Sequence, residues 1–259
     1  MRFVLTLLVL TATTGSALAQ DKTSGAPNDA AAYTIRGIAW AEKGEYDKAI
    51  ADFNKAIRLD PTYARPYYTR GVTWFHKKQF DKAITDLSEA IRLDPKFVAA
   101  YIYRGNIWGF KQDHDKVIAD YSDAIRLDPK SVTAYFNRGI AWEHKKNYDK
   151  AIADYKEARR LDPKDGDPIN NIAWLLAVAS DAKVRNGKRA VELAKEALAL
   201  DKNNAYYMVT LAAAYAETGN FVEAVRWQER ALEDAAFRND ADPRRRLELY
   251  QKKQPYRQE

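Results

Sequence analysis

The sequence predicts an all-α protein, a right-handed α-solenoid of about six helical hairpins with a short C-terminal capping helix. Three observations carry this expectation. One phrase is written four times, as GIAWAEKGEYDKAIADFNKAIRLDP from Gly37, GVTWFHKKQFDKAITDLSEAIRLDP from Gly71, GNIWGFKQDHDKVIADYSDAIRLDP from Gly105 and GIAWEHKKNYDKAIADYKEARRLDP from Gly139. The period is 34 residues, a length at which chains stack small units in a row. Within each copy the apolar residues recur at helical spacing, and each copy ends on Asp-Pro, where a helix must stop.

The N-terminal stretch stands apart from the repeats. Arg2 gives a positive start, Phe3 to Leu10 is an apolar run, and Ala17-Leu18-Ala19 is the small-x-small pattern of a cleavage site. Residues 1–19 therefore read as a secretory signal peptide, and the chain is expected to be exported, to a periplasm or beyond. The apolar run is too short to span a bilayer, so no transmembrane segment is expected once it is removed. The absence of cysteine excludes a lipid-modified cysteine, disulfides and thiolate metal sites. Residues 20–29 hold Gly, Pro and small polar residues and read as a flexible leader.

Residues 30–165 hold four regular hairpins. In the first, a helix is expected from about Ala31 to Lys43, with Tyr33, Arg36, Gly37 and Trp40 along one face. Gly44 marks the turn. Asp47 sits where it caps or favours the start of a second helix, whose buried face carries Ala49, Phe53, Ala56 and Ile57. Pro61, Pro95, Pro129 and Pro163 each follow a second helix. Glycine inside a helix costs about 1 kcal/mol against alanine. Gly37, Gly71, Gly105 and Gly139 at one register thus predict a close approach of the partner helix, opposite the alanine series of Ala49, Ala83 and Ala151 and of Ala56, Ala90, Ala124 and Ala158. Val117 breaks that series and predicts a slightly spread third hairpin. Trp40, Trp74, Trp108 and Trp142 read as an aromatic core stripe. Arg36, Arg70, Arg104 and Arg138 are expected to pair with Asp52, Asp86, Asp120 and Asp154, within or between hairpins.

Residues 166–238 loosen the pattern into two divergent hairpins. Helices are expected over Ile169–Ala179, Arg189–Leu200, Tyr206–Glu217 and Phe221–Asp234. Gln228 and Glu229 read as an end that meets water. Residues 239–259 form a basic C-terminal helix and tail. Its helix runs from Arg244 to about Lys252, with Leu247, Leu249 and Tyr250 against the stack and PYRQE fraying.

The repeats resemble the tetratricopeptide repeat, whose aromatic, leucine-glycine, tyrosine, alanine, phenylalanine and proline positions are occupied in the first copy by Tyr33, Arg36-Gly37, Trp40, Ala49, Phe53 and Pro61. Arginine replaces the usual leucine, and tryptophan the usual tyrosine, in all four copies. The last third is similar to the AWLLA…AVELA…TLAAAYAE block of many bacterial repeat proteins, which assigns no chemistry. The resemblance implies a non-catalytic scaffold that binds an extended peptide or a partner helix in a groove lined by first helices. Carried onto this sequence, the groove positions include Arg65, Tyr68, Phe75 and His76, then Asn106 and Phe110, then Phe136, Asn137, Glu143 and His144, and Asn171. The lysine and asparagine clamp of one subtype is replaced here by Thr34, Ile38, Thr69, Ala99 and Tyr103, so recognition of that kind is not expected.

Other classes find less support. The three histidines, His76, His114 and His144, lack metal-ligand spacing, and no phosphate loop, GxSxG or HExxH is present, so neither enzyme activity, metal nor cofactor is expected. The formal charge of +6 is spread among interspersed charges of both signs, which argues against a nucleic-acid partner. The one basic cluster, Arg244-Arg245-Arg246 with Lys252 and Lys253, could touch an anionic envelope surface. Self-association through an exposed end repeat is the alternative to a protein or peptide partner.

Overall fold

A computed structural model of the protein describes residues 29–238 and 240–258, all of them helix, turn or irregular segment. The signal peptide and all of the leader but Asp29 lie outside the described residues. The helices form consecutive antiparallel pairs, divided between Pro129 and Lys130 into two compact units.

The first unit holds three hairpins: α1 (Ala30–Glu42) with α2 (Tyr46–Leu59), α3 (Ala64–His76) with α4 (Phe80–Leu93), and α5 (Val98–Phe110) with α6 (His114–Leu127). Each second helix ends one residue before the Asp of Asp-Pro, whose side chain then accepts from a backbone N–H two residues on, at Thr62 and Lys96. Between the two helices of a hairpin one residue adopts positive φ: Gly44 at 77°, Lys78 at 58° and Gln112 at 59°. The cap position falls two residues before the expected aspartate. Glu45, Gln79 and Asp113 occupy the cap position, and of these Asp113 accepts a backbone bond. Asp47 and Asp81 instead lie in the first turn, and each pairs with a lysine of the next hairpin, Lys77 at 2.5 Å and Lys111 at 2.8 Å.

The arginine–aspartate ladder forms within each hairpin. Arg36, Arg70 and Arg104 hold Asp52, Asp86 and Asp120 through two nitrogens each, at 2.7–3.0 Å, and the aspartates are buried. Arg70 also donates to Asn54, and Arg104 to Ser88 at 2.9 Å, so one guanidinium ties its own hairpin to the preceding one. The close approach at the glycines is real, and its first partner is the side chain sixteen residues on; of the expected alanines, Ala83 shares the contact, its carbonyl oxygen 3.2 Å from a Cβ on Gly71. A Cβ on Gly37 would meet the Phe53 ring at 2.5 Å and one on Gly71 would meet Leu87 at 3.0 Å, whereas one on Gly105 would stand 3.3 Å from Tyr121. Of these three, Gly105 leaves the most room for a Cβ.

The tryptophan expectation needs correction. Phe53, Leu87, Tyr121 and Tyr155 are the fully buried large side chains of the regular hairpins, while Trp40, Trp74, Trp108 and Trp142 are half-buried. A lysine from the second helix covers each indole, Lys48, Lys82, Lys116 and Lys150 at 4.0–4.8 Å. The tryptophans sit at the rim, where a lysine stem covers apolar surface and its ammonium stays wet.

The second unit holds α7 (Val132–His144) with α8 (Tyr148–Leu161), α9 (Asp167–Val178) with α10 (Gly187–Leu200), and α11 (Ala205–Glu217) with α12 (Phe221–Leu232). Then come the one-turn α13 (Ala235–Arg238) and α14 (Ala241–Gln251). Arg138 and Asp154 repeat the buried pair at 2.7 Å. Gly166 admits Tyr207, whose hydroxyl donates to Asp167 at 2.7 Å. Gln228 is not a wetted end: it is fully buried and its amide donates to the Pro243 carbonyl at 3.1 Å, receiving α14. Tyr250 is likewise fully buried, with Leu249 packed beside it, so α14 covers the last hairpin as expected.

Candidate functional site

In the first unit, α3 and α5 bring the predicted side chains together as an aromatic patch. Tyr68 lies half-buried, 4.6 Å from Phe97 and edge-on to Tyr103 at 5.7 Å, and burial pushes its phenol up. Phe75 meets Phe80 at 5.9 Å and Phe110 at 5.6 Å, and Phe110 stacks on Phe80 at 5.8 Å. His76 stacks on Tyr46 at 5.9 Å, and burial lowers its pKa, which favours the neutral imidazole. Phe110 keeps 45% of its surface exposed, and Arg65 is exposed as well. Asn106 is already engaged, since its side-chain oxygen accepts from the Tyr121 hydroxyl. Tyr46, Phe75, His76, Phe80 and Phe110, from consecutive helices, thus form one run of touching rings with an open edge at Phe110, and Tyr68, Phe97 and Tyr103 form a second group; such aromatic surface suits side chains of an extended segment.

In the second unit the predicted residues divide differently. His144 is exposed, but Phe136, Asn137, Glu143 and Asn171 are buried. Phe136 packs on Tyr155 at 5.7 Å, and the Tyr155 hydroxyl donates to Glu143 at 3.0 Å. Asn171 also hydrogen-bonds Tyr155. Burial lifts the Glu143 carboxyl above its usual range, against hydrogen bonds from Gln258 and Tyr155 that act the other way.

Glu143 is also reached by the tail that the sequence predicts to fray. After α14, residues 255–258 run back along α7, α9 and α11 and hold four contacts. The Tyr256 ring stands 5.9 Å from Trp174. The Arg257 guanidinium reaches Glu217 at 2.5 Å. The Gln258 backbone N–H donates to the Val178 carbonyl at 2.9 Å, and its side-chain amide donates to Glu143 at 3.2 Å. The Arg246 guanidinium lies over both rings, 5.0 Å from Trp174 and 4.8 Å from Tyr256. Trp174, Glu217 and the Val178 carbonyl are functional groups that sequence reasoning passes over. The only advance signal is that Val178 ends a helix, where carbonyls lack intrahelical partners.

Among the described residues no three His, Cys, Asp or Glu gather as a metal site, and no helix is long and apolar enough to cross a membrane.

Comparison with known proteins bears on the same geometry. Residues 37–77 match the family described as TPR repeat, and residues 64–97 and 132–165 match Tetratricopeptide repeat. No curated protein matches the sequence. Among solved structures, PilF of Pseudomonas aeruginosa is 15% identical, over 87% of this chain and 97% of that one, with a TM-score of 0.69. YrrB, described as a TPR protein with an unusual peptide-binding site, is 19% identical over 78% of this chain and 97% of its own, with a TM-score of 0.62. A chain of the APC/C hetero-tetramer Cut9–Hcn1 is 16% identical with a TM-score of 0.63; 86% of this chain aligns, but it spans only 43% of that longer one. At these identities the likeness is one of fold. Tetratricopeptide repeats are thus matched over residues 37–97 and 132–165, and the helix pairing of those segments continues between and beyond them.

Proposed function

We propose that this chain is a non-catalytic scaffold that holds a protein partner, as an extended peptide or a helix, on its first-helix faces. The observation that carries this is the aromatic patch of the first unit, where Phe75, Phe80 and Phe110 stack into a surface that ends in the exposed ring of Phe110. Aromatic rings supply large contact area at low conformational cost, and peptide anchors dock in such places. The peptide-binding site ascribed to YrrB, which shares the fold, supports the same use of the architecture. Export is part of the proposal, on the strength of Arg2, the apolar run Phe3–Leu10 and Ala17-Leu18-Ala19.

The test is a crosslinking pull-down from the native envelope with the mature chain and with a Phe75→Ala, Phe110→Ala variant of equal helicity. A partner captured by the first and lost by the second supports the proposal. The same partners with both variants would remove the patch from the interface, and dimers of the chain alone would favour self-association.

A further inference from the structure

We infer that the α7/α9/α11 face of the second unit is a recognition site for an extended segment reading aromatic, arginine, side-chain amide, and that residues 255–258 of the chain occupy it in cis. The inference extends the scaffold reading to a second face and names the chemistry that the face selects.

Three successive residues make three different kinds of contact. Tyr256 takes the aromatic position on Trp174, with Arg246 over both rings. Arg257 takes the acidic position at Glu217. Gln258 takes the polar position, its backbone on the Val178 carbonyl and its amide on Glu143. A core segment would instead be an apolar run. Here the four residues Pro255–Gln258 are only half-buried, whereas Tyr250, four residues before Gln254, is fully buried and belongs to the fold itself.

The receiving side is complete without the segment. Glu217 also pairs with Arg185 at 3.1 Å, and Arg185 is anchored in turn on the Ala179 carbonyl at 2.7 Å. Glu143 keeps the Tyr155 hydroxyl. Neither carboxyl group would be left buried and unpaired when the segment leaves, which is what an exchangeable ligand requires. The departure point is built for exchange too. α14 ends in the turn that closes each first helix of the regular hairpins: Lys253 has φ 58°, and the Gln254 N–H donates to the Leu249 carbonyl at 2.9 Å. Residues 255–258 that follow take no regular secondary structure.

A segment of the same chemistry from a partner would therefore compete with residues 255–258. Because the internal segment acts at high effective concentration, its release should tighten binding of a competitor by at least about tenfold. The test uses the full chain, a labelled peptide QKKQPYRQ as the probe, and a Tyr256→Ala, Arg257→Glu variant that frees the segment and leaves the receiving residues intact. Expected are weak binding to the parent, binding at least about tenfold tighter to the variant, and none by a peptide carrying glutamate for arginine. Equal affinity for parent and variant, or no saturable binding by either, would overturn the inference. Amide exchange on the parent tests it without any variant: the Gln258 amide should be protected and should lose protection when the peptide is added in excess. A Gln258 amide exchanging at the free rate would equally overturn it. A Phe75→Ala, Phe110→Ala chain should bind the peptide as the parent does, so failure here is distinct from failure of the first-unit reading.

Discussion

Replacing Gly139 by alanine puts one methyl group where the structure has no room for it. A Cβ there would lie 2.7 Å from Tyr155 Cε1 and 2.9 Å from Cδ1. The ring cannot yield cheaply, because Tyr155 is fully buried, packs on Phe136 and is tethered to Glu143 through its hydroxyl. Overpacking of this kind costs about 1–3 kcal/mol. Alanine returns about 1 kcal/mol in helix propensity, so the net loss should be up to about 2 kcal/mol. Gly105→Ala is the internal control. Its Cβ would stand 3.3 Å from Tyr121 and 3.4 Å from Asp120, contacts that a small shift relieves. There the propensity gain should cancel the packing cost, leaving the change within about 0.5 kcal/mol of zero. The assay is native-state hydrogen exchange, which reads the opening free energy of each hairpin separately, supported by urea unfolding. An equal loss at the two sites, or a larger one at Gly105, would show that ring contact does not explain glycine at this register.

Two further outcomes follow from the buried charges. Arg104 holds Asp120 through two nitrogens and reaches Ser88 on the preceding hairpin, so Arg104→Leu and Asp120→Ala should each cost more than about 2 kcal/mol in urea unfolding, and a near-neutral Arg104→Leu would reduce the arginine to a space-filler. Glu143 holds its proton in the folded chain at pH values where the unfolded chain, with its ordinary pKa of 4.5, has lost it. This group's contribution to stability therefore falls as pH rises from 4.5 through the raised folded value, by about 1.4 kcal/mol per unit of that interval. Glu143→Gln should gain on the parent as pH rises above 4.5, measured as urea midpoints, and a difference that does not change with pH would refute the shift.

Much of the architecture is legible because it is local and written repeatedly. Helical spacing, Asp-Pro stops and the 34-residue period locate the hairpins, and observed helix ends fall within a few residues of expectation. That Arg36, Arg70, Arg104 and Arg138 pair with the aspartates is legible for the same reason, since both series recur at one register; that each pair closes within its own hairpin is decided by the structure. Where the reading fails, the cause is three-dimensional. Trp40 and its equivalents look like core by size and register, but the space beside each glycine is taken by Phe53, Leu87, Tyr121 and Tyr155, leaving the indoles at the rim beneath lysines.

The candidate site divides along the same line. The sequence by itself determined which residues lie on first helices, and the resemblance placed Tyr68, Phe75, His76 and Phe110 among the groove positions; in the first unit Phe75 meets His76 and Phe110, while Tyr68 packs separately on Phe97 and Tyr103. It also determined the fold, because a short period repeats each local instruction. Only the tertiary structure decided that Phe136, Asn137, Glu143 and Asn171 are buried, and that Gln258 reaches Glu143. Tyr256, Arg257 and Gln258 carry no periodic pattern, and Gln258 lies 115 residues from Glu143 along the chain. Contacts made once, between distant segments, leave no repeating trace in a sequence; they exist only when the chain has folded far enough to bring both sides together.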